Sequence, residues 1–587
     1  MHLDTISDQL ESSFDKFTSM QNVDGLLMNV LPYLGAIDAA KEWNDDPNEA
    51  NRMFLHTKSY SDFDNKDTLI LLGRTGTGKT SIIRCLCEKV NQGQHSLYNL
   101  AIIAQFAEIL NNITNSITDF SNPAVSFQLQ KIIGMYINCH VMKALIKEKP
   151  NCADYSNMKN YIQQNGLNDL GDGTYSTGIN TIERMLDAAS KLPGKVGETA
   201  QTARTLMDIS NAFTENGYEA AFTEMQEALK NRKVLVLIDT LNEYDLQDAR
   251  VVICLKALIA TCFSFYNKSK HSHIHVKISI PSEIHTHIVE QLPGKQQGNT
   301  TVIQWKNNDL LKMIAIRMLY CCNNDTQGIL KYDGTYVYED FYGSHANTTQ
   351  KAKDFLYNFL PKECPTSLDF YFDTLAYCIR HTLKKPRELM TVFNHFIAVM
   401  YENEDSKYFI NHPNMIRDVI HSTQEDLIAS ALSMYTTSFP HIHTSCDIVL
   451  HGRKCFFQGK DLDDKLKEAA AINRLEYGAD RIKRILLESG LVGKVNDISY
   501  RYVAEDDNSK KRVPTKENSI RIITAKFEYQ VKGRLTVNKT DYYVLHPMCY
   551  EHYECFVGDH TLVYPDQFED DAEVMKSVRL KHGLGVI

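Results

Sequence analysis

Apolar residues along the chain recur in two rhythms. Thr68–Leu72 and Val234–Ile238 are short, nearly unbroken apolar runs of the kind that forms strands buried on both faces. His275–Ile280 and Thr301–Trp305 read as further strands, and Leu97–Phe106 supplies an intervening one. Between them the period changes to that of a helix: Ile82 and Ile83 stand against Leu86 and Val90, and Ile132, Ile133, Met135, Tyr136 and Ile137 mark a helix over Phe127–Glu148. Val251–Tyr266 is apolar but carries Lys256 and is short for a bilayer, so it reads as the buried helix after a central strand. Leu310, Leu311, Ile314, Met318 and Leu319 outline an amphipathic helix. Strands that alternate with helices predict an α/β chain with a parallel sheet.

Two regions depart from this alternation. Roughly 140 residues separate the Ile82 helix from the Val234 strand, far more than a crossover needs. Residues 150–180, rich in Asn, Gly and Tyr, read as loop, with helical stretches at Ile182–Leu192 and Thr199–Asn231. The insertion, about 107–230, is the expected seat of protein-specific recognition. Near the C-terminus, Leu475–Gly490 is helical and stops at a glycine suited to a C-cap. Ile520–Ile522 and Ala525–Val531 then alternate like strands, as does Tyr542–Leu545 before His546-Pro547. Helix, hairpin and a final helix suggest a winged helix. The expected divisions are an acidic helical segment (1–65), an α/β core (66–310), a helical lid (311–415) and the winged-helix-like region (416–587).

Chemistry concentrates at the end of the first strand. Gly73-Arg74-Thr75-Gly76-Thr77-Gly78-Lys79-Thr80, followed by Ser81, fits the G-x-x-x-x-G-K-[ST] phosphate-loop pattern, with a strand before it and a helix after it. Glycines there let backbone N–H groups turn inward around a polyphosphate at a helix N-terminus. Lys79 then reaches the β/γ-phosphates and Thr80 binds Mg²⁺. Such a loop needs a carboxylate on a neighbouring strand to hold the ion, and Asp239 ends the Val234 strand in that role. Past Thr240, Glu243 is the first choice to polarise the attacking water and Asp245 the second; Glu243 equally suits a helix first turn. Ser282 is placed to sense the γ-phosphate, or to cap the helix that begins at Glu283. Arg317 is either an arginine finger for a neighbouring subunit or an ion-paired surface residue. Arg387, in the first turn after Pro386, opposes the helix dipole, which favours a bound phosphate as its partner.

In order, GRTGTGKTS, VLVLIDTLNE, ISIPSE, VIQWKNNDLLKMIAIRML and KKPRELMTVFNHF resemble the STAND and origin-recognition-type branch of AAA+-related ATPases. More narrowly, the chain is similar to prokaryotic P-loop ATPases of antiviral defence loci, over roughly residues 50–400. The resemblance implies a P-loop NTPase sheet with a helical insertion, a helical lid and a winged-helix-like C-terminal domain. It implies ATP and Mg²⁺ as cofactors, with Lys79, Thr80, Asp239, Glu243 and Arg387 carrying the nucleotide chemistry. Asn242 replaces the aspartate many members have, and Ser282 the arginine of many STAND proteins. Both departures bear on hydrolysis rate rather than on binding.

Charge and composition narrow the functions. The chain has 587 residues and a net charge of −10, and residues 1–66 hold twelve Asp/Glu against five Lys/Arg. An acidic lead argues against a basic arm tracking nucleic acid, and Lys510-Lys511-Arg512 is too small a basic loop to reverse that. Fourteen cysteines without a secretory signal fit a reducing cytoplasm, and no membrane segment is visible. His546, Cys549, His552 and Cys555 recur every third residue, a spacing that rotates off one helix face and cannot converge on zinc. No second catalytic constellation is present. The expected function is an ATP-driven oligomeric switch, a homo-oligomer that regulates or recruits a separate effector, plausibly in phage defence. A DNA-binding regulator or loader and a non-hydrolysing nucleotide-binding scaffold are the alternatives.

Overall fold

The computed structural model describes residues 34–35, 38–105, 123–165, 167, 217–240, 249–268, 273–283, 299–343, 346–365, 370–471, 478–502, 519–527, 535, 538–557, 561–565 and 579–580. The chain divides into two compact units, residues 57–304 and the remainder on either side of them.

The 57–304 unit is α/β. Its strands are β1 (Ile70–Gly73), β2 (Leu100–Gln105), β3 (Val234–Asp239), β4 (Ile274–Pro281) and β5 (Thr300–Val302). They lie in the order β2-β3-β4-β1-β5, and every neighbouring pair is parallel. All five therefore end on one edge of the sheet, where α/β proteins place their ligands. Val234–Leu237 of β3 and Ile278 and Ile280 of β4 are fully buried, as expected of strands covered on both faces.

Helices α1 (Lys58–Asp64), α2 (Lys79–Asn91), α3 (Pro123–Glu148), α4 (Ser156–Gln164), α5 (Tyr218–Ala228) and α6 (Ala249–Lys268) surround the sheet. Helix α2 packs on β2 and β3, and α6 on β4 and α3. By length and hydropathy Arg250–Lys268 could cross a membrane, yet Leu255, Leu258, Ile259 and Cys262 are fully buried. Helix α4 lies where the sequence reads as loop. It buries Met158, Tyr161 and Ile162, and the Glu224 carboxylate of α5 accepts from the first-turn N–H of Met158 at 2.7 Å. That capping acid comes from another helix, so no local pattern announces it. Of the two helical stretches expected between 182 and 231, only the part from 217 onward falls among the described residues.

One buried cation links strand to helix in this unit. The Lys277 ammonium, on β4, donates to the carbonyls of Phe63 and Asn65, the latter at 2.7 Å, at the C-terminal end of α1. It also sits 5.0 Å from the Phe63 ring centre. A cation is favoured at a helix C-terminus, but burial dominates and pushes the Lys277 pKa down to about 7, against the opposing pull of Asp64 and Asp67.

The other unit is largely helical, with two sheets. Helix α7 (Asn307–Asn323) is buried on nearly every side, Leu310, Met313, Ile314, Ala315, Ile316 and Met318 included, because neighbouring helices enclose it. It is not the one-sided amphipathic helix the spacing suggests. Short helix α8 (Thr374–Arg380) precedes α9 (Pro386–Glu402), which has Pro386 at its first position. A small sheet joins β6 (Glu363–Pro365), β7 (Phe370–Asp373) and residues 579–580.

The C-terminal region carries a five-stranded mixed sheet. Helix α10 (Ala479–Ser489) ends at Gly490 with φ +85°, the left-handed cap read from the sequence. The sheet comprises β8 (Phe456–Gln458), β9 (Val492–Tyr502), β10 (Ser519–Lys526), β11 (Tyr542–Leu545) and β12 (Thr561–Pro565), in the order β12-β10-β9-β11-β8. Strand β9 is antiparallel to β10 and β11, while β12 runs parallel to β10. After β11 the described residues form a 3₁₀ turn, Pro547–Cys549, and then β12, where the winged-helix expectation has a final helix. Among the described residues no group of three or more His, Cys, Asp or Glu is placed to hold a metal.

Candidate functional site

The loop after β1 is shaped by three glycines for two reasons. Gly76 and Gly78 have φ of +83° and +92°, a region that side chains disfavour. Gly73 is needed for space, since a Cβ there would lie 2.5 Å from Thr77 Oγ1 and 2.8 Å from Ile303 Cδ1. The Thr77 hydroxyl donates to the Arg74 carbonyl at 2.7 Å and closes the turn. Helix α2 starts at Lys79 behind Gly78, with no side-chain cap on its N-terminus. Lys79 is 5% exposed and lies back over the loop, donating to the carbonyls of Gly73 (3.0 Å) and Arg74 (3.2 Å). The first turn of α2 and a lysine thus meet at one place, which is the arrangement an anion requires.

Asp239 ends β3, one strand removed from the loop because β4 lies between β3 and β1. The gap is closed by hydroxyls. Thr80 Oγ1 donates to Asp239 Oδ2 at 2.7 Å. Ser279, paired with Asp239 in the β3–β4 register, donates to Oδ1 at 2.5 Å. Thr240 Oγ1 in turn donates to the Ser279 carbonyl at 2.6 Å. Thr80 and Asp239, which the sequence assigns to Mg²⁺, are therefore in direct contact. A hydroxyl and one carboxylate are hard oxygen donors, and so small a protein share suits an ion that keeps waters and phosphate oxygens. Ser279 is a residue the sequence reading overlooks; its signal is a lone hydroxyl inside the apolar run Ile278-Ser279-Ile280.

A second overlooked residue is Glu283, just past β4. Its Oε1 lies 3.6 Å from Arg74 Nε and accepts from the Thr75 N–H at 3.4 Å. Both side chains of the ion pair are largely buried, at 11% and 6% exposure. Ser282, expected to sense phosphate, donates to Glu283 Oε2 at 3.4 Å. A carboxylate therefore rests on the loop itself. Gly73, Arg74, Thr75, Gly76, Thr77, Gly78, Lys79, Thr80, Ser81, Asp239 and Ser282 all fall in the 57–304 unit; Asn242, Glu243 and Asp245 lie outside the described residues.

Arg317 and Arg387 belong to the other unit. Arg317 is engaged within that unit: its guanidinium takes Glu42 in two hydrogen bonds, at 2.6 and 3.0 Å, and the Leu34 carbonyl at 2.8 Å. Of the two readings of this residue, the geometry favours ion pairing, although the pair is buried rather than at the surface. Arg387 is half-buried in the first turn of α9 and makes no ion pair among the described residues. Nearby, Glu388 pairs with Lys385 at 3.0 Å, both side chains buried. No protein-family model matches this chain, and no curated protein matches it.

Proposed function

We propose that residues 57–304 are a P-loop nucleoside triphosphatase core, and that the chain is an ATP-binding, ATP-hydrolysing switch. In this reading it assembles with copies of itself in the cytoplasm and regulates or recruits a separate effector. The observation that carries the reading is the direct contact of Thr80 with Asp239 beside Lys79, at the common edge of a parallel sheet. That contact brings together two motifs 159 residues apart in the chain.

The chain's own groups suit this chemistry. Lys79 would exchange the carbonyls of Gly73 and Arg74 for a phosphate, and the N-terminus of α2 favours the negative charge that replaces them. Ser279 holds one oxygen of Asp239 and leaves the other directed at Thr80. Bound Mg²⁺ would neutralise charge developing on the β- and γ-oxygens. Glu243 remains the proposed group for orienting the attacking water, with Asp245 behind it. A role in phage defence, with a partner chain as effector, follows from the family resemblance alone.

The test is solution mass with and without ATP–Mg²⁺, alongside ATP hydrolysis, for the parent and Lys79→Ala. We expect a nucleotide-dependent rise in mass and measurable turnover, both abolished in Lys79→Ala while its circular dichroism is unchanged. Nucleotide binding retained by Lys79→Ala would contradict the reading. Binding with no change of mass would move the assignment to a loader, whose duplex-DNA affinity should fall steeply with salt.

A further inference from the structure

The unit that contains the C-terminal sheet buries a cation that no acid among the described residues pairs with. Arg380, the last residue of α8, is 5% exposed. Its Nε donates to the Val563 carbonyl of β12 at 2.9 Å, and Nη1 lies 3.4 Å from His381 Nε2. His381 Nδ1 is 2.8 Å from the Tyr377 carbonyl, which can only accept. Nδ1 therefore carries the proton, and Nε2 is the acceptor for Arg380. The ring is neutral, consistent with burial and then Arg380 holding its pKa well below the usual histidine value. The last guanidinium nitrogen, Nη2, is buried without a hydrogen-bond partner, and no carboxylate pairs with Arg380 among the described residues.

The surroundings add positive charge. His546 is fully buried, and its pKa is pushed well down by burial, then by Arg380, Lys384 and Lys385. Glu388 already holds Lys385 and the Leu383 N–H, the latter at 2.6 Å. Arg521, on β10, stacks on Phe456 with its guanidinium carbon 4.7 Å from the ring centre. Its Nε is likewise buried and lacks a hydrogen-bond partner. Val563, which holds Arg380, pairs with Ile523 of β10, two residues from Arg521 and on the same face of that strand. The Cys455 thiol is pushed up to about 11 by burial, with Arg380 and Arg521 acting in the opposite direction.

A buried lysine or histidine escapes desolvation by losing its proton, but a guanidinium cannot. Leaving it unpaired is strongly unfavourable, and the remedy is an anion that meets the idle donors. We infer that Arg380 and Arg521 form a binding site for a phosphate group, either the free ion or one carried on a small molecule. Planar guanidinium donors match the oxygens of such a group. The site belongs to the other unit from the glycine-rich loop and does not rest on the nucleotide reading.

Thermal unfolding of the nucleotide-free full chain, titrated with inorganic phosphate against chloride at matched ionic strength, tests this. We expect a saturable rise in Tm of a few degrees in the parent and in Lys79→Ala. The rise should disappear in Arg380→Met and shrink in Arg521→Gln. Should Arg380→Met fail to fold, the half-buried Arg521 decides, and an unchanged rise in Arg521→Gln overturns the site. Absence of any rise, its survival in Arg380→Met, or its loss in Lys79→Ala would equally overturn it. Repeating the titration with a phosphomonoester distinguishes the two sources: an equal rise admits a substituted phosphate, and no rise restricts the site to the free ion.

Discussion

In the proposed nucleotide reading, Glu283 and an incoming triphosphate would be rivals for the same donors. Its carboxylate accepts from the Thr75 N–H and faces Arg74, so a polyphosphate settling into the loop meets a like charge a few ångströms away. Glu283→Gln keeps the shape and removes the charge. We expect it to tighten nucleotide binding several-fold, about 1 kcal/mol in a partly screened setting, measured as the Kd of a fluorescent ATP analogue. Equal or weaker affinity would show that the carboxylate does not compete. Lys79, Thr80 and Asp239 could be found in the sequence because each belongs to a motif written in consecutive residues. Ser279 and Glu283 could not, because their contacts depend on the register of β4 against β3 and on which residues that strand brings to the loop. Ser282, a sensor by position, has its hydroxyl 3.4 Å from the carboxylate of its neighbour Glu283.

Among the elements, β4 does most to organise the site, and two of its polar residues, Lys277 and Ser279, are fully buried, which a central strand would ordinarily avoid. Ser279 orients Asp239, and Lys277 ties α1 to the sheet through two carbonyls. The lysine has a consequence for stability. Burial lowers its folded pKa to about 7, whereas an unfolded lysine titrates near 10.4. Between those values the unfolded chain binds a proton that the folded chain does not, so stability rises as pH increases through that window. Urea unfolding from pH 7 to 9 should therefore show the parent gaining on Lys277→Met by about 2 kcal/mol over the two units. Parallel pH profiles for the two proteins would refute this. The strands and long helices of this unit could be read in advance because their apolar periods are strong. Helix α4 and strand β9 could not. Helix α4 relies on Glu224 of another helix, and β9 mixes Asn496, Asp497 and Ser499 into its sequence and is held by β10 and β11.

For the molecule as a whole, the chain returns on itself. The described residues between 34 and 56 join those from 305 onward, where the sequence alone suggested a separate acidic segment. The Arg317–Glu42 pair, 275 residues apart, is one tie that no local pattern could reveal. Arg317→Ala should cost about 3 kcal/mol, because a buried carboxylate loses its partner, and Glu42→Ala should cost a similar amount. The double variant should cost clearly less than their sum. An arginine finger would behave otherwise, losing turnover with Tm preserved, so one set of variants separates the two roles. The inserted helices bear on the site through their point of departure. Strand β2 ends at Gln105, directly in register with Asp239, and the insertion follows it in the sequence. A protein that grips the insertion thus has its handle on the strand beside the proposed metal carboxylate. If such a grip changes ATP affinity by some factor, ATP must change the grip by the same factor. The insertion would then report the state of the site to its partner as faithfully as it carries the partner's presence inward.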